Sequence, residues 1–207
     1  MIYFDRLFEL KEKYRSALAE DAHKRARIEK DFADGWTTDA CRKYALERQA
    51  EALEYCRKTT IAAAEAVKAD AYTMLDRWGT LDAAKLPSNA AFLSENSPVT
   101  LTQEEMQQFV DENRYNSTAL RAAKEAADRR GLVLPIPPTA EQRKAAFTLF
   151  ADNIIGAIQS GLNSGFYTVE NADSLLLEKI QANPNLADLE AVAVAADGGT
   201  SGEGAAV

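Results

Sequence analysis

Acid–base, nucleophilic or metal chemistry in this chain would have to run through one histidine, two cysteines and a scatter of carboxylates. His23 is the sole histidine, so a histidine dyad, triad or multi-histidine metal site within one chain is excluded. It sits among Lys24, Arg25, Arg27 and Lys30 and reads as an exposed helix residue. Cys41 and Cys56 share one helical pattern, roughly 22 Å apart at 1.5 Å per residue, too far to bridge. With no His or Cys near them at ligand spacing, they read as small semi-buried helix positions. Glu104/Glu105 and Asp111/Glu112 are sequence neighbours that point to different sides of a helix and cannot share a substrate. Gly202-Glu203-Gly204 follows no strand and opens no helix, so it does not form a phosphate cradle. We therefore assign no catalytic, cofactor-binding or metal-binding residue and expect a protein that is not an enzyme and needs no cofactor.

Two further groups bear on binding instead of catalysis. Lys24, Arg25, Arg27 and Lys30 could meet phosphate, but Glu20, Asp21, Glu29 and Asp31 are interleaved with them, which describes an ion-paired, solvated face. Trp36 and Trp78 stand near either end of one long helical pattern. Both read as core aromatics capping a helical layer, with an exposed subunit contact at Trp78 as the alternative.

The net charge of −8 is unevenly placed: residues 1–80 carry 15 basic and 15 acidic side chains, whereas residues 81–207 carry nine and 17. A neutral first part with an acidic remainder argues against general binding to nucleic acid or anionic membranes, because attraction to phosphate needs a basic face. No run of about 18 apolar residues is present, and Met1-Ile2-Tyr3-Phe4-Asp5-Arg6 lacks a basic-then-apolar secretion pattern, so a cytoplasmic protein is expected. Apolar residues make up 46% of the chain while aromatics reach only 8%, a balance that favours helices packed closely through alanine.

The elements follow from periodicity and caps. Phe4, Leu7, Phe8, Tyr14, Leu18, Ala22, Ile28 and Phe32 form one helical stripe, interrupted at Asp34-Gly35, after which Thr37 or Thr38 can cap a second helix. That helix, predicted from Asp39 to Trp78, carries Leu46, Leu53, Thr60, Val67 and Met74 every seven residues, the period of a left-handed seam. An all-α fold is expected, opening with a long antiparallel, coiled-coil-like helical hairpin over residues 1–79. Residues 80–101 read as a linker because of Pro87, Pro98 and a run of Ser and Asn. Residues 102–182 read as a small bundle of short helices, with capping boxes at Thr102/Glu105 and Thr139/Gln142 and a strongly apolar stripe from Phe147 to Leu162. Residues 183–207 read as a disordered acidic Gly/Ala tail.

One stretch resembles a known group. Pro98-Val99-Thr100-Leu101-Thr102-Gln103-Glu104-Glu105, then Asn113-Arg114-Tyr115-Asn116, then an alanine-rich helix ending Arg129-Arg130-Gly131-Leu132, is similar to small helical proteins of the capsid and assembly gene module of tailed bacteriophages. The likeness covers residues 98–132, and no functional residue can be carried over from it. It implies a virion or scaffold-type protein in the host cytoplasm or the virion. The long heptad helix, its uncovered end and the absent active site add that it is non-enzymatic, with itself or other assembly proteins as partners, and the charge balance argues for neither membrane nor direct nucleic acid. The alternative from charge alone is an acidic module occupying a basic surface of a host or defence protein.

Self-association has a specific expected location. Helix one is about ten residues shorter than helix two, so Val67, Ala71, Met74 and Trp78 need cover from elsewhere. That cover is either a second copy or the Phe147–Leu162 helix folding back onto the same seam.

Overall fold

A computed structural model describes residues 2–162 and 172–197, and every regular element among them is helical. The helices are α1 (Ile2–Ala33), α2 (Asp39–Gly79), α3 (Gln103–Glu112), α4 (Ser117–Arg130), α5 (Ala140–Gln159), α6 (Ala172–Ala182) and α7 (Leu189–Ala196), with 3-10 turns at Ala83–Lys85 and Ser88–Leu93. None of the helices is long and apolar enough to cross a membrane. The expected division into hairpin, linker, bundle and tail is replaced by two compact units, residues 1–70 with 148–178 and residues 71–147 with 179–207. Each unit is discontinuous in sequence, because elements far along the chain return to cover α2.

In the first unit α1 turns back antiparallel on α2. Arg6 pairs with Asp70 at 3.0 Å and Arg42 with Glu29 at 3.1 Å. The turn is a Schellman motif: Gly35 takes φ +75, its amide donates to Phe32 O, and the Trp36 amide donates to Asp31 O at 2.9 Å. Thr38 Oγ1 then accepts the Cys41 amide and caps α2. At the other end Phe150 of α5 packs edge-on against Phe4, with ring centres 5.1 Å apart, and against Phe8 at 5.8 Å. Lys68–Asp152 at 2.6 Å, with the Arg57 guanidinium donating to Gln159 O, fixes this part of α5 antiparallel to α2. Leu7, Val67, Ile154 and Ile158 are the dry centre of the packing.

In the second unit the stretch expected to be a linker is a packed element. Ala90 and Leu93 are buried; the Asp82 amide donates to Thr118 Oγ1, Asn116 Nδ2 to Lys85 O, and Arg129 to Leu93 O. Both expected capping boxes form: Thr102 with Glu105 opens α3, and Thr139 with Gln142 opens α5. Asn116 caps α4 and Gly131, at φ +66, ends it. The segment expected to be disordered from Asn183 is also corrected as far as Asp197: Leu186, Leu189 and Val192 are buried and Leu189–Ala196 is helical. Residues 198–207, the rest of the expected tail, lie outside the described residues.

The anchor of that return is Arg143, which is fully buried. Its Nε donates to Pro138 O at 3.2 Å and its Nη1 to Asn185 O at 3.3 Å, while the guanidinium lies 5.6 Å from the centre of the Trp78 ring. Burial pulls its pKa down, since desolvation disfavours the charged form, against a smaller opposing pull from the Asp188 carboxylate.

Candidate interaction surfaces

The four residues expected to carry self-association are the protein's own core. Val67, Ala71, Met74 and Trp78 are all buried within a single chain. In the first unit α5 lies beside Val67, as the Lys68–Asp152 pair shows. In the second, Lys144 of α5 hydrogen-bonds Asp76, which raises the lysine's pKa, and Trp78 is enclosed. The intramolecular cover considered for the seam is the one observed, and it buries all four side chains.

The two tryptophans have opposite fates. Trp78 is 4% exposed, and its indole N–H donates to Tyr115 O at 2.7 Å while Ser117 Oγ donates to the Trp78 carbonyl. Trp36 is 83% exposed. It occupies the residue after the left-handed Gly35, so the hairpin turn holds its backbone while leaving its ring in water. The sequence signal was its place one residue past the turn glycine; a core role for it is corrected by its exposure.

The hairpin beyond its base is sparsely covered. No residue from Arg15 to Thr59 is fully buried; Leu18, Ile28, Leu46 and Leu53 are half-buried, and Tyr44 and Tyr55 are exposed. Phe32 lies under the Arg42 guanidinium, 4.4 Å from the ring centre. The charges here are largely satisfied within one helix, as in Lys24–Glu20 at 2.7 Å and Arg25–Asp21 at 2.6 Å, which is the expected ion-paired face. Cys41 is exposed and Cys56 half-buried, both as free thiols.

The second unit has a cleft of about 540 Å³ that sequence reasoning missed. Trp78, Leu81, Leu120, Ile136 and Pro137 give it an apolar lining, Arg121 and Lys124 of α4 supply cations, and Asp76 and Glu141 supply carboxylates. The two cations are exposed and paired along α4 with Glu125 and Asp128, contacts of the kind worth about 0.3–0.5 kcal/mol. Each local part of the cleft is legible in the sequence: the end of α2, the α4 face, the proline run and the cap of α5. Their convergence is tertiary.

Among the described residues no group of three His, Cys, Asp or Glu side chains is placed to hold a metal ion. The arrangement offers surfaces for binding: an aromatic hairpin tip and an apolar cleft with a charged rim. No protein-family model, curated protein or solved structure matches the chain.

Proposed function

We propose that this protein is a non-enzymatic structural or assembly component that acts through helix-mediated self-association, of the scaffold or head-associated kind that its resemblance to phage assembly proteins implies. The observation that carries this reading is the outer hairpin. From Arg15 to Thr59 it buries no residue fully, yet it keeps Trp36, Tyr44 and Tyr55 in water. Aromatic side chains dominate interface energetics, and a two-helix layer leaves one side of its apolar seam uncovered until further helices pack on it. The near-neutral charge of this region also suits contact between identical surfaces, which an acidic face would repel.

Light scattering over a wide concentration range tests the proposal. Association is expected for the natural chain, and its loss, with helicity retained, for Trp36→Ser combined with Tyr44→Ser and Tyr55→Ser. A natural chain that stays monomeric at millimolar concentration removes the reading.

A further inference from the structure

We propose that this protein dimerises through the outer face of α2, laid antiparallel on the same face of a second copy. Tyr44 of each copy then meets Tyr55 of the other, and Arg48 meets Glu51; this rests on the self-association reading and names its surface.

Tyr44, Arg48, Glu51 and Tyr55 follow at intervals of four, three and four residues, the spacing that puts side chains on one side of a helix. All four are in water: the tyrosines are 64% and 72% exposed, and the Arg48 and Glu51 side chains 64% and 67%. Leu46 and Leu53 each stand two residues beyond a member of the stripe, roughly 200° around the helix. The stripe therefore looks away from those half-buried leucines.

The stripe reads alike from either end: aromatic, charge, charge, aromatic, with the two charges opposite in sign. A two-fold axis midway between Arg48 and Glu51 sets each residue against its complement in the second copy. Arg48 bonds Glu51 of its own chain at 3.0 Å, and that bond need not break. The pair is a dipole along α2, and an antiparallel copy lays an opposed dipole beside it, so each charge gains a neighbour of opposite sign. A parallel copy would set Arg48 on Arg48 and Glu51 on Glu51. Charge thus selects one orientation, and two tyrosine pairs flank the charged centre.

The same patch serves both copies, so the contact closes at two. One helix pair lies at the small end of protein interfaces, so dimerisation depends on high local concentration.

Charge reversal tests the register. In sedimentation equilibrium, Arg48→Glu and Glu51→Arg should each weaken the dimer at least about tenfold, because like charges then face each other. Both changes in one chain restore the complementarity and should restore the dimer, and an equimolar mixture of the two single variants should form a heterodimer. Circular dichroism melts identify any variant that misfolds.

A second measurement needs no substitution. Cys41 and Lys58 are exposed and symmetric about the same axis. Within one chain they are 17 residues apart, roughly 26 Å along α2, beyond a short linker. A short thiol-to-amine crosslinker on the natural chain should join Cys41 of one copy to Lys58 of the other, identified by mass spectrometry of the covalent dimer. A natural chain that associates without that link, or folded single variants that associate as well as the natural chain, overturns the antiparallel α2 contact and leaves hairpin self-association standing; so does a folded double reversal that stays monomeric. A natural chain without oligomers overturns both.

Discussion

Gly79, the last residue of α2, and Ala140, the first of α5, approach so closely that a Cβ placed on Gly79 would lie 2.8 Å from the Ala140 Cβ. No flexible side chain is available to yield, since the obstructing atom is fixed to the α5 backbone. Gly79→Ala should therefore destabilise the protein by about 1–3 kcal/mol as overpacking, even though alanine is the better helix former by about 1 kcal/mol. Ala140→Gly in the same chain should recover part of that loss. Urea denaturation of the two single variants and the double variant gives the coupling; strictly additive effects would show that the two residues do not touch.

Replacing each tryptophan should give opposite results. Trp78→Ala empties a buried site and removes the indole bond to Tyr115 O, a change expected to cost about 3–5 kcal/mol. Trp36→Ala touches a ring in water and should stay within about 0.5 kcal/mol. Equal losses in chemical denaturation would mean that the Trp36 ring is packed.

Truncation after Ala182 should be severe. It deletes the buried Leu186, Leu189 and Val192, together with the Asn185 carbonyl that accepts from Arg143 and the Asp188 carboxylate that pairs with Arg114. At about 1.5–3 kcal/mol per large apolar side chain the loss is on the order of 5 kcal/mol or more, comparable with the whole stability of many domains. An unchanged melting temperature would place 183–197 outside the core.

Acid should loosen the hairpin. Hydrogen bonds from Lys24, Lys43 and Arg57 hold Glu20, Asp39 and Glu54, respectively, below their ordinary pKa values. The unfolded chain therefore takes up protons more readily than the folded one. The stabilisation is complete at neutral pH and is lost as pH falls through about 4 and below, toward the depressed folded values. Thermal melts at neutral and acid pH should differ less for Glu20→Gln with Asp39→Asn and Glu54→Gln than for the natural chain. An identical pH response in the two would deny these pairs any role.

What the sequence determined by itself is the set of features governed by near neighbours. Thr102 reaches Glu105, Thr139 reaches Gln142, Asn116 reaches Ala119 and Gly35 closes its turn within five residues, so helix starts and stops could be read from residue type and spacing. The antiparallel return of α1 on α2 followed in the same way from a short turn between two apolar stripes. Tertiary structure alone decided which distant element covers which face. The heptad marked Val67 and Met74 as needing cover, but a periodic pattern does not distinguish a second copy from α5 of the same chain. Segments 80–101 and 183–197 looked too polar or too small-sided to pack, yet Leu93, Leu186 and Leu189 are buried. A few large side chains suffice where a cavity lined by other elements already waits, and that cavity is a property of the assembled helices. The same reason separates Trp36 from Trp78: identical in chemistry, they differ in whether the chain brings Tyr115, Ser117 and Arg143 around them.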